Sequence, residues 1–297
     1  MTGQENTIHG FRSDNIWIGP QDFHQSFVDE EQEIHFIHFS KLDKNLARQV
    51  LAWRNHPEVR KWMYNKDVIS EEDHFQFLQQ LPRQRYRFYW LVKEGDKDLG
   101  VIDLANCRGG ESEWGFYLNP KYIGGGKALR LFHHALHFFF QKIHLKKVYG
   151  YVACENTNSL LLNELFDMHM TALMPKEHKG VLHWYAKYEL SKGAYAAREL
   201  TLSDVRDRLI GSQSVLRRKR REIRLRQLLI QAFGRPSLPW REDMGEYSHI
   251  EACDNSRNAL QLSHFSRLLQ EDFGCRLGMK DLLAHHRFSD ILNSLEK

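Results

Sequence analysis

A run of three glycines carries the clearest chemical signal in the sequence. Gly124, Gly125 and Gly126 stand between Lys121 and Lys127, after a segment typical of a strand and before one typical of a long helix. Backbone N–H groups at the positive end of a helix dipole bind pyrophosphate, and glycines let the backbone approach it closely. The segment therefore predicts a phosphate-binding turn, with a flexible connecting turn as the alternative.

The histidines and cysteines do not form a metal-binding pattern. The sequence holds 17 histidines, and His133 and His137 form an i, i+4 pair on one predicted helix. No Glu completes an H-E-x-x-H arrangement, and the 4 cysteines are scattered without C-x-x-C spacing. We therefore expect no metal and no disulfide framework.

Hydrophobic periodicity predicts an α/β domain over residues 33–195. Period-two alternation predicts strands at 33–39, 87–92, 99–104, 113–118, 147–154 and 181–190. Helical patterns are found at 43–53, 57–62, 70–81, 128–142 and 159–166, and Ser70 is the expected N-cap of the third. This order of elements is typical of a mostly antiparallel sheet with crossover helices.

Composition indicates how the rest of the chain is organised. At 297 residues with 42% hydrophobic residues, the chain is long enough for two domains. Residues 1–32 are polar and without a period, which predicts a flexible leader. Residues 217–226 hold seven Lys or Arg, and we expect a basic linker helix at 196–232 before a small helical domain at 233–297.

Charge and hydropathy also exclude some partners. The formal charge of +4 is modest, and no aromatic residues are interleaved with the basic run, so we expect no nucleic acid partner. The sequence has no signal-peptide pattern and no apolar run of about 18 residues. We therefore expect a cytoplasmic protein that does not bind a membrane.

The segment around the glycine turn resembles the N-acetyltransferases of the GNAT superfamily. The spacing resembles that family's Q/R-x-x-G-x-G/A loop, with Lys121 at the Q/R place and Gly124 and Gly126 at the glycine places, and residues 113–118 resemble the strand that precedes the loop. Residues 156–164 resemble the N-x-x-S-x-x-apolar-x-E segment of the ribosomal-protein and amino-sugar branches. These matches cover residues 33–192 and imply a GNAT fold, whose sheet is splayed.

The GNAT resemblance implies acetyl-CoA, or another acyl-CoA, as the cofactor. The residues that it places along the pantetheine arm and the phosphates are Phe116, Tyr117, Leu118, Lys121, Gly124, Gly125, Gly126 and Lys127. Asn156 is expected to hold an amide of the cofactor.

Acyl transfer to nitrogen needs a group that removes a proton, because an amine attacks a carbonyl carbon only as the free base. Glu113 is the first choice for this base and Asp103 the second, while an exposed strand-end carboxylate is the alternative for Glu113. Ser159 is the expected acid for the leaving thiolate. The sugar branch commonly has a Tyr where this chain has Asn163, so its usual acid is missing here.

The amino-terminal part of the domain resembles the N-acetyltransferases of pseudaminic acid biosynthesis, through R-N-H-P at 54–57 and W-M-Y at 62–64. That resemblance implies the 4-amino group of a UDP-linked 4-amino-4,6-dideoxy sugar as acceptor. The residues that it places at this nucleotide-linked sugar are Arg54, Met63, Tyr64, His74 and Phe77.

These residue types also have simpler explanations. Arg54 is equally suited to a surface ion pair, His74 to a solvated or hydrogen-bonded histidine, and Met63 to packing in the core. The alternative functions are a ribosomal-type protein N-acetyltransferase and a non-catalytic scaffold that binds CoA or a partner.

The carboxy-terminal residues 233–297 resemble an acyl carrier protein, through 258–260, 268–274 and 288–292. Ala259 stands where a working carrier has the Ser that takes the phosphopantetheine arm, and Ser256 lies three residues too early. The resemblance therefore implies a carrier-like docking module without an arm. An acidic partner or a carrier protein is the partner that it would recruit.

Overall fold

The protein consists of two compact units, each assembled from non-contiguous segments. The structure, a computed structural model, describes residues 23–29, 33–178, 181–198, 200–210, 212–233, 255–275, 277 and 288–295. The first unit comprises residues 1–150, 165–167 and 189–208, and the second comprises 151–164, 168–188 and 209–297.

The strands run through both units. In chain order they are β1 (Phe27–Asp29), β2 (Ile34–His38), β3 (Arg87–Glu94), β4 (Lys97–Arg108), β5 (Glu111–Leu118), β6 (Lys147–Ala153), β7 (His169–His178) and β8 (Val181–Ser191). In the first unit β1 to β5 are neighbours in that order and pair antiparallel, and β5 pairs parallel with the start of β6. In the second unit the order is β6, β8, β7. The predicted mostly antiparallel sheet is thereby confirmed for the first unit.

The helices, in chain order, are α1 (Lys44–Asn55), α2 (Pro57–Arg60), α3 (Glu71–Gln80), α4 (Lys127–His137), α5 (Thr157–Leu165), α6 (Lys192–Ala196), α7 (Leu202–Ile210), α8 (Ser212–Phe233), α9 (Asn255–Phe273) and α10 (Phe288–Ser294). A π-helical turn, Phe138–Lys142, follows α4. At the start of α3, the Ser70 hydroxyl accepts from the Asp73 N–H, so the predicted N-cap is confirmed. Among the described helices, none is long and apolar enough to cross a membrane.

Helices cover both faces of the first unit's sheet. On one face, Trp53 of α1 belongs to a buried cluster with Leu81 and Leu91. On the other face, aromatic rings after and within α4 meet the strands. The ring centroids of Phe132 and Trp114 lie 4.8 Å apart, and a similar edge-on pair joins the π-helical turn to β3.

The sheet opens where β5 meets β6. Their parallel pairs run from Glu111 opposite Lys147 to Glu113 opposite Tyr149. Beyond Glu113, the described pairs of β5 are with β4 alone and continue to Leu118. From residue 115 to residue 118, β5 therefore has a described strand partner on one side only, as expected for a splayed sheet.

The second unit has a helical core of its own. Its buried residues come from α8, α9 and α10 and from the residue after α10: Leu225, Leu228, Leu229, Ala232, Phe265, Leu268, Leu269, Ile291, Leu292 and Leu295. The predicted carrier-like module at 233–297 thus shares its core with α8. The side chains of Ala259 and Ser256 lie outside the described residues, and the carrier-like role stays a prediction.

Several elements differ from the sequence-based expectation. β1 lies within the predicted leader, because Phe23 and Phe27 are buried in the core; the leader residues 1–22 and 30–32 lie outside the described part. β7 lies where no strand is predicted. The predicted linker helix at 196–232 is instead two helices, α7 and α8, with apolar positions of α8 in a buried core.

Candidate active site

The two predicted base residues lie on the same face of the sheet. Asp103 on β4 is opposite Gly115 on β5, and Ala105 is opposite Glu113. Because residues two apart on a strand share a face, the side chains of Asp103 and Glu113 project to the same side. Tyr89 of β3, which is opposite Asp103, shares this face as well.

The Asp103 carboxylate fits beside a glycine. A Cβ on Gly115 would lie 2.8 Å from Asp103 Oδ2, so a larger residue there would collide with the carboxylate. Burial, and then the negative charge of Glu113, raise the pKa of Asp103 to about 7, while the Arg87 charge opposes the shift. Asp103 therefore changes charge near neutral pH.

Glu113 is held by a hydrogen bond at each carboxylate oxygen. The side-chain amide of Asn106 donates to Oε2 at 2.9 Å. The Tyr64 hydroxyl donates to Oε1 at 3.5 Å, a long contact. The structure therefore brings together the predicted base and a residue predicted to contact the acceptor, although they are 49 positions apart.

The segment that carries Tyr64 is attached to the end of α1. The Arg54 guanidinium donates through Nη2 to the Asn65 carbonyl at 2.6 Å. The Asn55 side chain bonds both backbone groups of Ile69, at 2.8 and 2.9 Å. These bonds fix both ends of residues 65–69 and so help to hold Tyr64 near Glu113.

Arg54 also faces the sheet. Its pKa is lowered, first by burial, and the two tyrosine hydroxyls that act on its charge belong to Tyr89 and Tyr117. Its Nη1 atom is buried and has no hydrogen-bond partner among the described residues. A guanidinium with an unsatisfied N–H at a carboxylate-lined face is suited to binding an anionic group.

The other residues predicted to bind the acceptor are placed differently. His74 is 6% exposed and its Nε2 hydrogen-bonds the Ala47 carbonyl at 3.0 Å, so this geometry favours a role in packing α3 against α1. Phe77 packs edge-on against Tyr89, with ring centroids 5.3 Å apart. Met63 is half-buried beside the exposed Tyr64.

The glycine turn has the geometry that a phosphate site needs. Gly124 and Gly126 have positive φ values of 83° and 74°, and a Cβ on either would meet nothing within 4 Å. Gly126 is the N-cap of α4 and no side chain caps this helix. No side-chain cap therefore occupies the start of α4, where the helix dipole favours an anion. The turn thus fits the pyrophosphate of acetyl-CoA.

The neighbouring residues predicted to bind the cofactor differ in which groups they can offer to it. The Phe116 ring packs against Phe132, 5.6 Å away, so this residue offers its backbone rather than its ring. Lys127 Nζ lies 3.2 Å from Glu94 Oε2, which partly neutralises its charge. Lys121 is exposed, with its ammonium 5.6 Å from the centre of the Tyr122 ring.

Asn156 and Ser159 lie in the second unit, at the start of α5. The Asn156 side-chain oxygen accepts from the Ser159 N–H at 3.2 Å, which is an N-cap bond. Asn163 is buried and donates to the Ser159 carbonyl at 2.7 Å. The predicted roles of Asn156 at the cofactor and Ser159 at the thiolate stay predictions.

Comparison with known proteins adds a family to this geometry. Residues 37–169 match the model of the acetyltransferase (GNAT) domain. The chain carries a GNAT acetyltransferase domain. The predictions of an acyl-CoA-dependent enzyme and of acetyl-CoA as its cofactor are confirmed at the level of this domain.

The individual proteins that this domain resembles share less than a third of its residues. Acetyltransferase PseH of Campylobacter jejuni is 29% identical over 129 residues, which are 43% of this chain and 80% of that protein; the protein from a second strain is 28% identical. The crystal structure of the Campylobacter jejuni enzyme with acetyl coenzyme A gives a TM-score of 0.41 at 22% identity, covering 53% of this chain and 98% of that one. Spermidine N-acetyltransferase of Vibrio cholerae, with CoA and spermine, gives 0.49 at 17% identity, covering 56% and 99%.

Sequence reasoning did not identify Asn106 or Gly115 as parts of this site. Asn106 lies in a β-bulge of β4, from which it reaches Glu113, and Gly115 matters because it is opposite Asp103. Both facts depend on the register of β4 against β5. Among the described residues, no group of three or more His, Cys, Asp or Glu side chains is placed to hold a metal ion.

Proposed function

We propose that this chain transfers an acetyl group from acetyl-CoA to the amino group of a nucleotide-linked 4-amino-dideoxy sugar. The observation that carries the proposal is the meeting of Glu113, Asp103 and Tyr64 on one face of the sheet. Two carboxylates and a hydroxyl at an open face suit a positively charged amine that must lose a proton. A cytoplasmic location stays a prediction.

Glu113 is the general base in this proposal. When bound, acetyl-CoA supplies a thioester carbonyl as the electrophile. Glu113 takes the proton of the acceptor amine, directly or through a water molecule, and the backbone of residues 115–118 offers N–H groups to a developing oxyanion. Asp103, with its pKa of about 7, adds negative charge to the face when it is ionised.

Arg54 supports a nucleotide-linked acceptor. The resemblance to the pseudaminic acid enzymes implies that this residue contacts the nucleotide phosphates. Its buried Nη1 atom, without a partner among the described residues, offers an N–H to a phosphate oxygen. Its charge also disfavours a protonated amine nearby, which helps the acceptor to become nucleophilic.

The test offers one purified protein three kinds of acceptor. The protein is mixed with acetyl-CoA and a UDP-linked 4-amino-4,6-dideoxy sugar, the corresponding 4-hydroxy sugar, or a set of peptides with free amino termini. Release of CoA is followed with a thiol reagent, and the product mass shows whether one acetyl group was added. We expect turnover with the amino sugar alone, reduced ~10²–10⁴-fold in Glu113→Gln.

Two results would contradict the proposal. Turnover with peptides alone would make the chain a protein N-acetyltransferase of the ribosomal type. Binding of CoA without turnover on any acceptor would make it a non-catalytic scaffold.

A further inference from the structure

A β-bulge interrupts β4 and β5 next to the proposed base. Ala105 is opposite Glu113 and Arg108 is opposite Glu111, so two residues of β4 face the single residue between them on β5. Bulges of this kind bend a strand locally and redirect a side chain, and they are frequent beside active sites. Asn106 is the first of these two residues of β4.

The backbone of Asn106 is in a conformation that few residues adopt. Its φ is +56°, in the left-handed region, where Asn is tolerated better than most side chains. Its side chain is exposed, yet it donates to Glu113 Oε2 at 2.9 Å. An uncommon backbone conformation that directs an amide at a proposed base indicates a constraint on the site.

The rest of the bulge is held internally. The buried Ser112 hydroxyl lies 2.8 Å from the Ala105 carbonyl oxygen and 2.9 Å from that of Glu113. Cys107 Sγ lies 3.0 Å from the same hydroxyl. These contacts fix the backbone on both sides of Asn106 and so fix the direction of its amide.

We infer that Asn106 is a positioning residue, whose side-chain amide holds one oxygen of Glu113 and leaves the other, near Tyr64, to receive the acceptor's proton. This inference rests on the proposed function, in which Glu113 is the base. A hydrogen bond to a carboxylate favours its charged form, so removal of the amide has an effect that a proton-binding measurement can detect.

Other titratable groups also face Glu113. Their charges act on Glu113 in the wild-type protein and in the Asn106 variants alike. They are Tyr64 in the loop, Arg87 and Tyr89 on β3, Asp103 on β4 and Tyr149 on β6. Variants of Asn106 leave all of them in place. A change in the titration of Glu113 in such a variant therefore reports the amide.

The test replaces Asn106 in two ways that preserve the bulge. Asn106→Gly keeps the positive φ without strain and removes the amide, whereas Asn106→Asp keeps the size and places a carboxylate beside Glu113. Carboxyl-carbon NMR of protein labelled at glutamate follows the titration of Glu113, whose signal is identified by its loss in Glu113→Gln. We expect the midpoint to rise in Asn106→Gly and to rise further, by about one pH unit or more, in Asn106→Asp.

Kinetics provide the second measurement. The limb of kcat/KM that rises with pH should move in the same direction and order, with KM for acetyl-CoA unchanged. Gly109→Ala is the control, because it strains the same hairpin at a φ of +59° where a Cβ meets nothing within 4 Å. The inference would be overturned if the titration midpoint of Glu113 stayed at its wild-type value in both Asn106 variants. It would also be overturned if Gly109→Ala shifted that midpoint by the same amount.

The NMR arm separates this inference from the proposed function. If the wild-type protein acetylates no amino sugar, the function fails, while the titration of Glu113 in the free protein still tests the amide. The glycine variant keeps the test valid if the aspartate variant does not fold.

Discussion

The two carboxylates of the site have different surroundings, and this difference bears on the roles proposed for them. Asp103 is half-buried, and burial and the Glu113 charge raise its pKa to about 7. Glu113 instead accepts two hydrogen bonds, from Asn106 and Tyr64. Pairs of carboxylates in such contrasting environments commonly divide acid and base work between them. In the proposed function Glu113 is the base, and Asp103 is a neighbour whose charge depends on pH.

The Asp103 carboxylate occupies its position because Gly115 has no Cβ. In Gly115→Ala, the new Cβ would lie 2.8 Å from Asp103 Oδ2, so the carboxylate must move. We expect kcat with the amino sugar to fall ~10–10²-fold, because small displacements at a reacting centre have effects of this size. The dissociation constant of CoA, measured by calorimetry, should stay within about twofold.

Gly193→Ala is the matched control for this substitution. A Cβ at this position of α6 meets nothing within 4 Å, so the added methyl group displaces no side chain. Equal kcat values for Gly115→Ala and Gly193→Ala would show that the position of Asp103 does not matter to turnover.

At the scale of elements, the turn before α4 should determine cofactor affinity. Gly124 has a φ of +83°, and the space beside it is open. In Gly124→Ala the left-handed backbone costs about 1–2 kcal/mol, and the methyl group stands where the phosphates approach. We expect the dissociation constant of CoA to rise about tenfold or more, which corresponds to ~1.4 kcal/mol or more.

A control variant separates backbone strain from a loss of phosphate contacts in Gly124→Ala. Gly109→Ala introduces the same left-handed strain in the β4–β5 hairpin, again with nothing within 4 Å of the new Cβ. It should lower the midpoint of thermal unfolding to a similar extent and leave CoA affinity unchanged. An equal loss of affinity in both variants would indicate that the glycine turn does not contact the phosphates.

The sequence predicted the elements that have a clear period. β2 to β6 and α1 to α5 lie within a few residues of their predicted positions, and the Ser70 cap is confirmed. β7 was not predicted because it contains Pro175, which removes a backbone donor and argues against a central strand. That strand is last in the sheet order, where a proline is tolerated.

The site itself was only partly predictable. Glu113 and Asp103 stand out by residue type and by their places on adjacent strands. The contact between Asn106 and Glu113 depends on a bulge, and a bulge changes the pairing without leaving a distinct sequence pattern. For His74 the family resemblance and the structure point in different directions. The resemblance places His74 at the acceptor, whereas its ring hydrogen-bonds a backbone carbonyl of α1.

At the scale of the whole molecule, the basic run at 217–226 contains both buried and exposed side chains. Lys219 is 12% exposed and lies 3.1 Å from Glu164 of α5, whose other partner is the Tyr188 hydroxyl. Arg226 is also buried and lies 2.8 Å from Glu222. Part of the run is therefore an internal charge cluster that joins α8 to α5 and β8 within the second unit.

Breaking this cluster should destabilise the protein strongly. Lys219→Met removes the cation beside Glu164, whose pKa burial already raises, and leaves two buried carboxylates under-compensated. We expect the free energy of unfolding to fall by ~3 kcal/mol in urea denaturation at neutral pH. The loss should shrink as pH falls, because without Lys219 the folded state takes up a proton at Glu164 more readily.

The neighbouring position supplies the control. Arg220 is exposed on the same helix, so Arg220→Met should change the free energy of unfolding by less than about 0.5 kcal/mol. Similar losses for both variants would indicate that the charge cluster does not stabilise the second unit.

Acid should destabilise the first unit through its buried histidines. Burial, followed by the charges of His24 and Lys41, lowers the pKa of His38 to about 3, and burial likewise lowers that of His133 to about 4. Unfolded, each ring binds a proton below its ordinary pKa of 6.5, whereas the folded protein resists it. The stability that they contribute is therefore complete above that value and is lost as pH falls towards the lowered values.

His38 offers the sharpest test of this dependence. Its ring is fully buried, Nδ1 lies 2.8 Å from the Ser40 hydroxyl, and Nε2 has no hydrogen-bond partner among the described residues. In His38→Gln, the fall in the free energy of unfolding between about pH 6 and about pH 4 should be shallower than in wild type by up to ~1.4 kcal/mol per pH unit. His35→Gln, which removes an exposed histidine from the same strand, is the control, and urea denaturation at several pH values measures both. A slope for His38→Gln equal to that of the wild-type protein would mean that His38 takes up its proton as readily in the folded state as in the unfolded chain.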